Sequence, residues 1–111
     1  MNLNKRSVAF LICVYGKDNV QHFEDMFKTL SKLQIPLEVE IRVFIHVDGH
    51  ISSECQSIID NAKTFRVVKS SKTIGLARGL NRLISCLTDE YYVFRMDADD
   101  LIRPERVLKQ M

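Results

Sequence analysis

The sequence predicts an α/β fold, a mainly parallel sheet with helices on both faces. Three observations predict it. Short β-branched and aromatic runs recur along the chain, stripes of helical period separate them, and no repeat, low-complexity tract or Pro/Gly-rich linker breaks the alternation. With 111 residues, 46% hydrophobic and 27% charged, the chain reads as a single domain, 1–111, large enough to bury a core.

The first strand is Ser7 to Tyr15, an apolar run bounded by Gly16, Lys17 and Asp18 that suits a strand buried on both faces. Asp18 is the expected N-cap of the first helix, whose apolar positions Val20, Phe23, Phe27, Leu30 and Leu33 fall three and four apart. Pro36 ends it. Val39 to Val47 is the second strand. A short helix from Ser53 to Ala62 follows, with Cys55, Ile58, Ile59 and Ala62 inward. Phe65 to Val68 is the third strand. After the polar stretch Ser70 to Thr73 and the breaker Gly75, the third helix carries Leu76, Leu80, Leu83, Ile84 and Leu87 as its stripe. Tyr91 to Met96 is the fourth strand, and Pro104 opens a last helix with Leu108 and Met111 on its apolar face. The order βαβαβαβα requires crossover connections and gives a Rossmann-like half-sheet.

The 16 basic and 14 acidic residues nearly cancel to a net +2, which gives no reason to expect nucleic acid as a partner. The longest apolar run, Val8 to Tyr15, is far short of the roughly 20 residues that span a bilayer, and the start lacks a small-residue cleavage site. These features read as a cytoplasmic chain without a signal peptide. Cys13, Cys55 and Cys86 are odd in number, dispersed and set among apolar neighbours, the pattern of reduced core thiols.

In an open parallel sheet ligands bind beyond the carboxyl ends of the strands, so the residues after each strand are the candidates. The loop Asp97-Ala98-Asp99-Asp100 holds three carboxylates within four residues. They repel one another unless a cation is present, and oxygen ligands suit magnesium or manganese, with substrate phosphate completing the shell. Asp97 and Asp99, two apart, point to one side of an extended segment. The same aspartates could instead turn the chain and cap the helix at Pro104. Asp48, followed by Gly49, ends the second strand on the same sheet edge and is a candidate acceptor for nucleotide hydroxyls or a base edge. Arg78, in the first turn of the third helix, could clamp a diphosphate with help from the helix N-terminus, or stand solvated and idle on the helix surface. Gly75 and Gly79 there permit close backbone approach or serve loop geometry.

These residues, taken together, resemble the family 2 glycosyltransferases. The resemblance rests on Val14-Tyr15 closing the first strand, Val47-Asp48-Gly49 closing the second, the helix start Gly75-Leu76-Ala77-Arg78 with Asn81 one turn on, and the Asp-X-Asp motif within Tyr91 to Glu105. It covers essentially the whole chain. It implies a GT-A fold, of which this chain is the N-terminal nucleotide-sugar-binding half, truncated after the Asp-X-Asp motif. It further implies that Tyr15 and the loop after it line a base pocket, Asp48 contacts the nucleoside, Arg78 approaches the nucleotide, and Asp97 and Asp99 hold nucleotide and a Mn or Mg cation. The expected partners are a nucleotide-sugar donor, a UDP-sugar first among them, and a saccharide or lipid-linked acceptor, with a location in the cytoplasm or at the inner face of the membrane. The family's catalytic base belongs to later strands, so no catalytic residue is expected within this chain and it is expected to bind donor without transferring sugar alone. The loop Val47 to Ser52 departs from the family's commoner double aspartate with Gly-Ser. An unpaired outer edge on the fourth strand would favour self-association.

A response-regulator receiver would need acidic residues at the end of the first strand, where Val14-Tyr15-Gly16 stands. A dinucleotide oxidoreductase would need Gly-X-Gly-X-X-Gly there, and only Gly16 is present. A non-catalytic nucleotide-binding or interaction module with the same fold is the second reading. His22 and His46 read as solvated or hydrogen-bonded packing residues, and His50 lies nearer the site. Arg103, Arg106 and Lys109 fit a solvated helix face.

Overall fold

The computed structural model describes residues 6–33, 38–62, 65–90 and 92–98. Seven elements alternate along the chain: β1 (Arg6–Tyr15), α1 (Val20–Ser31), β2 (Val39–Asp48), α2 (Ser53–Asn61), β3 (Arg66–Ser70), α3 (Leu76–Ile84) and β4 (Tyr92–Asp97). All strand pairings are parallel, in the order β3-β2-β1-β4. This is the Rossmann-like α/β architecture expected. The last helix, expected from Pro104, lies outside the described residues, as do Pro36, Asp99 and Asp100.

Side-chain alternation along β1 divides the core in two. Val8, Phe10, Ile12 and Val14 face α1 and α2, where Phe23, Met26, Cys55 and Ile59 are buried with them. Ala9 and Leu11 point the other way and pack with Phe44 and with Leu83 of α3. Covered on both sides, the strand needs apolar residues at successive positions, which is why it reads as a run and not as an alternation. β4 behaves differently: Phe94 and Met96 are buried, but Val93 on the α3 face is 46% exposed, so among the described residues α3 covers β1 and β2 and leaves β4 bare on that face.

Several local expectations need correction. The N-cap of α1 is Asn19, whose side-chain oxygen accepts from the His22 N–H at 3.0 Å. Asp18 is already engaged one residue earlier: its carboxylate accepts from the Tyr15 N–H at 2.8 Å while its own N–H donates to the Tyr15 carbonyl at 3.1 Å, closing the turn after β1. β3 begins after Phe65 and runs on through Lys69 and Ser70, because Ser70 is buried and has a partner inside the fold. In α3, Leu76 and Ile84 are exposed, and the helix instead buries Gly79 and Leu83. Of the cysteines only Cys55 is fully buried, Cys13 and Cys86 being partly exposed. Among the described residues no helix is long and apolar enough to cross a membrane.

Candidate functional site

The sheet order changes direction at β1, with β2 and β3 on one side and β4 on the other, and the crevice beyond the carboxyl ends of β1 and its neighbours is where an open parallel sheet takes a ligand. A cleft of about 410 Å³ lies there. In-register pairing explains its lining: Tyr15 stands beside Asp48, and Cys13 beside Asp97, so all four residues share the α3 face of the sheet at its carboxyl end. Thr73, Gly75 and Leu76, from the loop into α3 and its first residue, form the facing wall. Asp18 contributes a further carboxylate from the β1–α1 turn.

The expected site residues fare as follows. Tyr15 lines the cleft and is 45% exposed, free to offer a ring face. Asp48 lines it too, but is 5% exposed: one carboxylate oxygen accepts from the Ile74 N–H at 2.7 Å and the other from the Gly75 N–H at 3.1 Å. Asp97 reaches the cleft with its side chain 55% exposed and lies 3.4 Å from the Arg95 guanidinium. Asp99 lies outside the described residues. Arg78 is exposed on α3 and is not part of the described cleft lining. His50 is exposed and borders a separate shallow groove beside α2 and β3.

Asp18 and Thr73 lie in the strand-end loops taken as candidates from the sequence, whereas Cys13 was not singled out there. Cys13 was legible in principle, since it lies two residues before Tyr15 and therefore on the same face of β1. Its thiol is pushed up to about 11, first by burial and then by the negative charge of Asp48, so near neutral pH it stays protonated. The charged oxygen donors of the cleft are carboxylates, the ligand type that hard cations prefer over sulfur.

Beneath the cleft wall lies a polar network. His46 on β2 is fully buried, its Nε2 lying 2.7 Å from the Ser70 hydroxyl, which in turn accepts from the Arg82 guanidinium. Arg82 also donates to the Lys69 carbonyl at 3.3 Å, tying α3 to the end of β3. Burial, with Arg82 adding to it against the pull of Asp48, holds the imidazole below its ordinary range and so uncharged. Its Nδ1 has no hydrogen-bond partner, because Gly79 of α3 closes over it.

A larger hollow of about 680 Å³ sits at the other end of the sheet, and one arginine gathers its carboxylates: Arg42 pairs with Asp89 at 2.8 Å, Glu90 at 3.1 Å and Glu40 at 3.3 Å. These contacts fasten the segment between α3 and β4 to β2. They belong to the scaffold and lie away from the carboxyl-end cleft.

Comparison with known proteins agrees with the fold. The chain is 30% identical over 107 residues to an uncharacterized glycosyltransferase of Haemophilus influenzae, covering 93% of this chain and 38% of that protein. It is 29% identical over 102 residues to the UDP-Gal:alpha-D-GlcNAc-diphosphoundecaprenol beta-1,3-galactosyltransferase of Escherichia coli, covering 88% of this chain and 35% of that one. It thus spans little more than a third of these relatives. Among solved structures, S. aureus TarS 1-349 in complex with UDP-GlcNAc superposes with a TM-score of 0.79 at 16% identity, over 94% of this chain and 30% of that one. The mannosyltransferase PcManGT from Pyrobaculum calidifontis, in complex with GDP-Man and Mn2+, gives 0.73 at 19% identity over 90% and 30%. The family model for glycosyl transferase family 2 matches residues 10–111, and the chain belongs to that family.

Proposed function

We propose that the carboxyl-end cleft is a donor site for a nucleotide-diphospho-sugar, held with a divalent cation, in an enzyme that transfers the glycosyl group to a saccharide or lipid-linked acceptor. The observation that carries this reading is the gathering of Tyr15, Asp48 and Asp97 from three different strands into one cleft at the point where the strand order reverses. TarS solved with UDP-GlcNAc and PcManGT solved with GDP-Man and Mn2+ support the ligand class and the cation.

The donor set fits a hard cation. Asp97 is an exposed carboxylate at a strand end and Asp99 follows two residues later, and magnesium held by one or two carboxylates takes phosphate oxygens of its substrate to complete the shell. Bound there, magnesium or manganese supplies positive charge to the departing nucleoside diphosphate. The chain's own groups do the positioning. Tyr15 would present its ring to the base, the first N–H groups of α3, left without a side-chain cap at Gly75, would serve phosphate, and Arg78, in the first turn of α3 and outside the described lining, would have to swing in to reach it. No residue of the cleft is proposed as the base that deprotonates the acceptor, and the chain is proposed to act as the donor-binding half.

Calorimetric titration of UDP, with manganese and then with chelator, tests the reading. Metal-dependent binding is expected, weakened roughly tenfold or more in Asp99→Ala and in Asp97→Asn. Binding that ignores both chelator and substitutions would remove the metal site. Absence of binding to UDP, GDP and ADP alike would leave a non-catalytic module with this fold.

A further inference from the structure

Asp48 ends β2 and is almost wholly buried, and both of its carboxylate oxygens are engaged. Its two oxygens serve two different backbone groups, accepting from the Ile74 N–H at 2.7 Å and the Gly75 N–H at 3.1 Å. The next residue extends the same junction. The Gly49 N–H donates to the Ser70 carbonyl at 3.0 Å. Gly49 itself sits at φ +75° so close to the loop that a Cβ would lie 2.7 Å from the Thr73 hydroxyl and 3.2 Å from the Thr73 nitrogen. A two-residue corner at the end of β2 therefore holds the segment Thr73–Gly75, and Thr73, Gly75 and Leu76 are the wall of the cleft.

The geometry points to Asp48 as a positioning residue: it sets the Thr73–Leu76 wall and the start of α3, and it governs the affinity of a nucleoside diphosphate through that wall, not by touching the base. This rests on the cleft being the donor site. An aspartate directed at a bound diphosphate would oppose it by like charge. Two charge-assisted N–H bonds turn the carboxylate inward and offset its charge at the point where the helix begins. The chemistry also explains the residue type. Two converging N–H donors need two acceptor oxygens, and asparagine offers one oxygen and an NH2 group that would meet the second N–H head on.

The experiment follows the Ile74 and Gly75 amides by NMR hydrogen exchange in the full chain and titrates UDP, GDP and ADP into the parent, Asp48→Asn and Gly49→Ala. Asp48→Asn is expected to speed exchange at both amides roughly tenfold or more and to weaken all three diphosphates by one common factor, again on the order of tenfold. Gly49→Ala disturbs the same wall from the neighbouring residue and is expected to produce the same uniform loss, so it carries the test if Asp48→Asn does not fold. A loss selective for one base, with both amides as protected as in the parent, would assign Asp48 to direct contact and overturn the proposal. Faster exchange with unchanged affinities would overturn it as well. A parent chain that binds none of the three would instead defeat the donor-site reading, and the positioning role with it, while the exchange data would still report whether Asp48 holds the loop.

Discussion

Gly79 is the residue on which the polar network under the cleft closes. A Cβ there would lie 2.6 Å from His46 Nδ1 and 3.1 Å from Cys13 Sγ, and the imidazole cannot swing aside while Ser70 holds its other nitrogen. Gly79→Ala gains roughly 1 kcal/mol of helix propensity, but forced overpacking of a core typically costs about 1–3 kcal/mol. A net loss of roughly 1 kcal/mol in urea unfolding is expected, and a stabilised variant would show that His46 has room to move. Close backbone approach at Gly79 was one of two readings open in the sequence, and the structure selects it. What could not be read was the partner, because a glycine leaves no mark in a hydrophobic pattern. For the same reason the inward face of α3 was drawn too far toward Leu76 and Ile84: its true centre, Gly79 with Leu83 one turn on, has one member without a side chain.

At the scale of elements, α3 is tied to the sheet by polar contacts as much as by Leu83. Arg82 reaches the Ser70 hydroxyl and the Lys69 carbonyl, and Ser70 meets the buried His46. The folded state resists protonating that histidine, whereas an unfolded chain takes up the proton near pH 6.5. The unfolded state therefore binds more protons below that pH, and this contribution to stability is present above the ordinary histidine range and is lost as pH falls below it. Urea midpoints are expected to decline from about pH 7 to about pH 5, with a shallower decline in His46→Gln; equal slopes would assign the acid sensitivity elsewhere. The seven elements were legible because β1 is a continuous apolar run, β2 is rich in β-branched residues around Val43 to Ile45, and the helices carry stripes three and four apart. The Asp48 anchor and the Ser70 extension of β3 were not, since each depends on a partner more than twenty residues away that no local pattern announces. The cleft itself was legible as a set of strand ends, and Tyr15, Asp48 and Asp97 meet there, whereas Arg78 stands outside the described lining.

For the whole molecule, the sheet has two flanks, β3 and β4, and among the described residues neither has a second strand beside it. Exposed backbone donors and acceptors on a strand flank are a template for pairing with another copy. Sedimentation velocity at rising concentration is expected to reveal association, and a sedimentation coefficient that stays monomeric throughout would overturn that expectation. The strand order also has a bearing on synthesis. β1, an interior strand and the most apolar, emerges from the ribosome before the other described strands, while β4, its neighbour on one side, is the last of them to emerge. Pairings so distant along the chain form slowly, because loop closure must precede their reward. During translation the segment Val8 to Val14 thus keeps one adhesive flank unpaired until β4 emerges, and through that interval it is open to association with other chains.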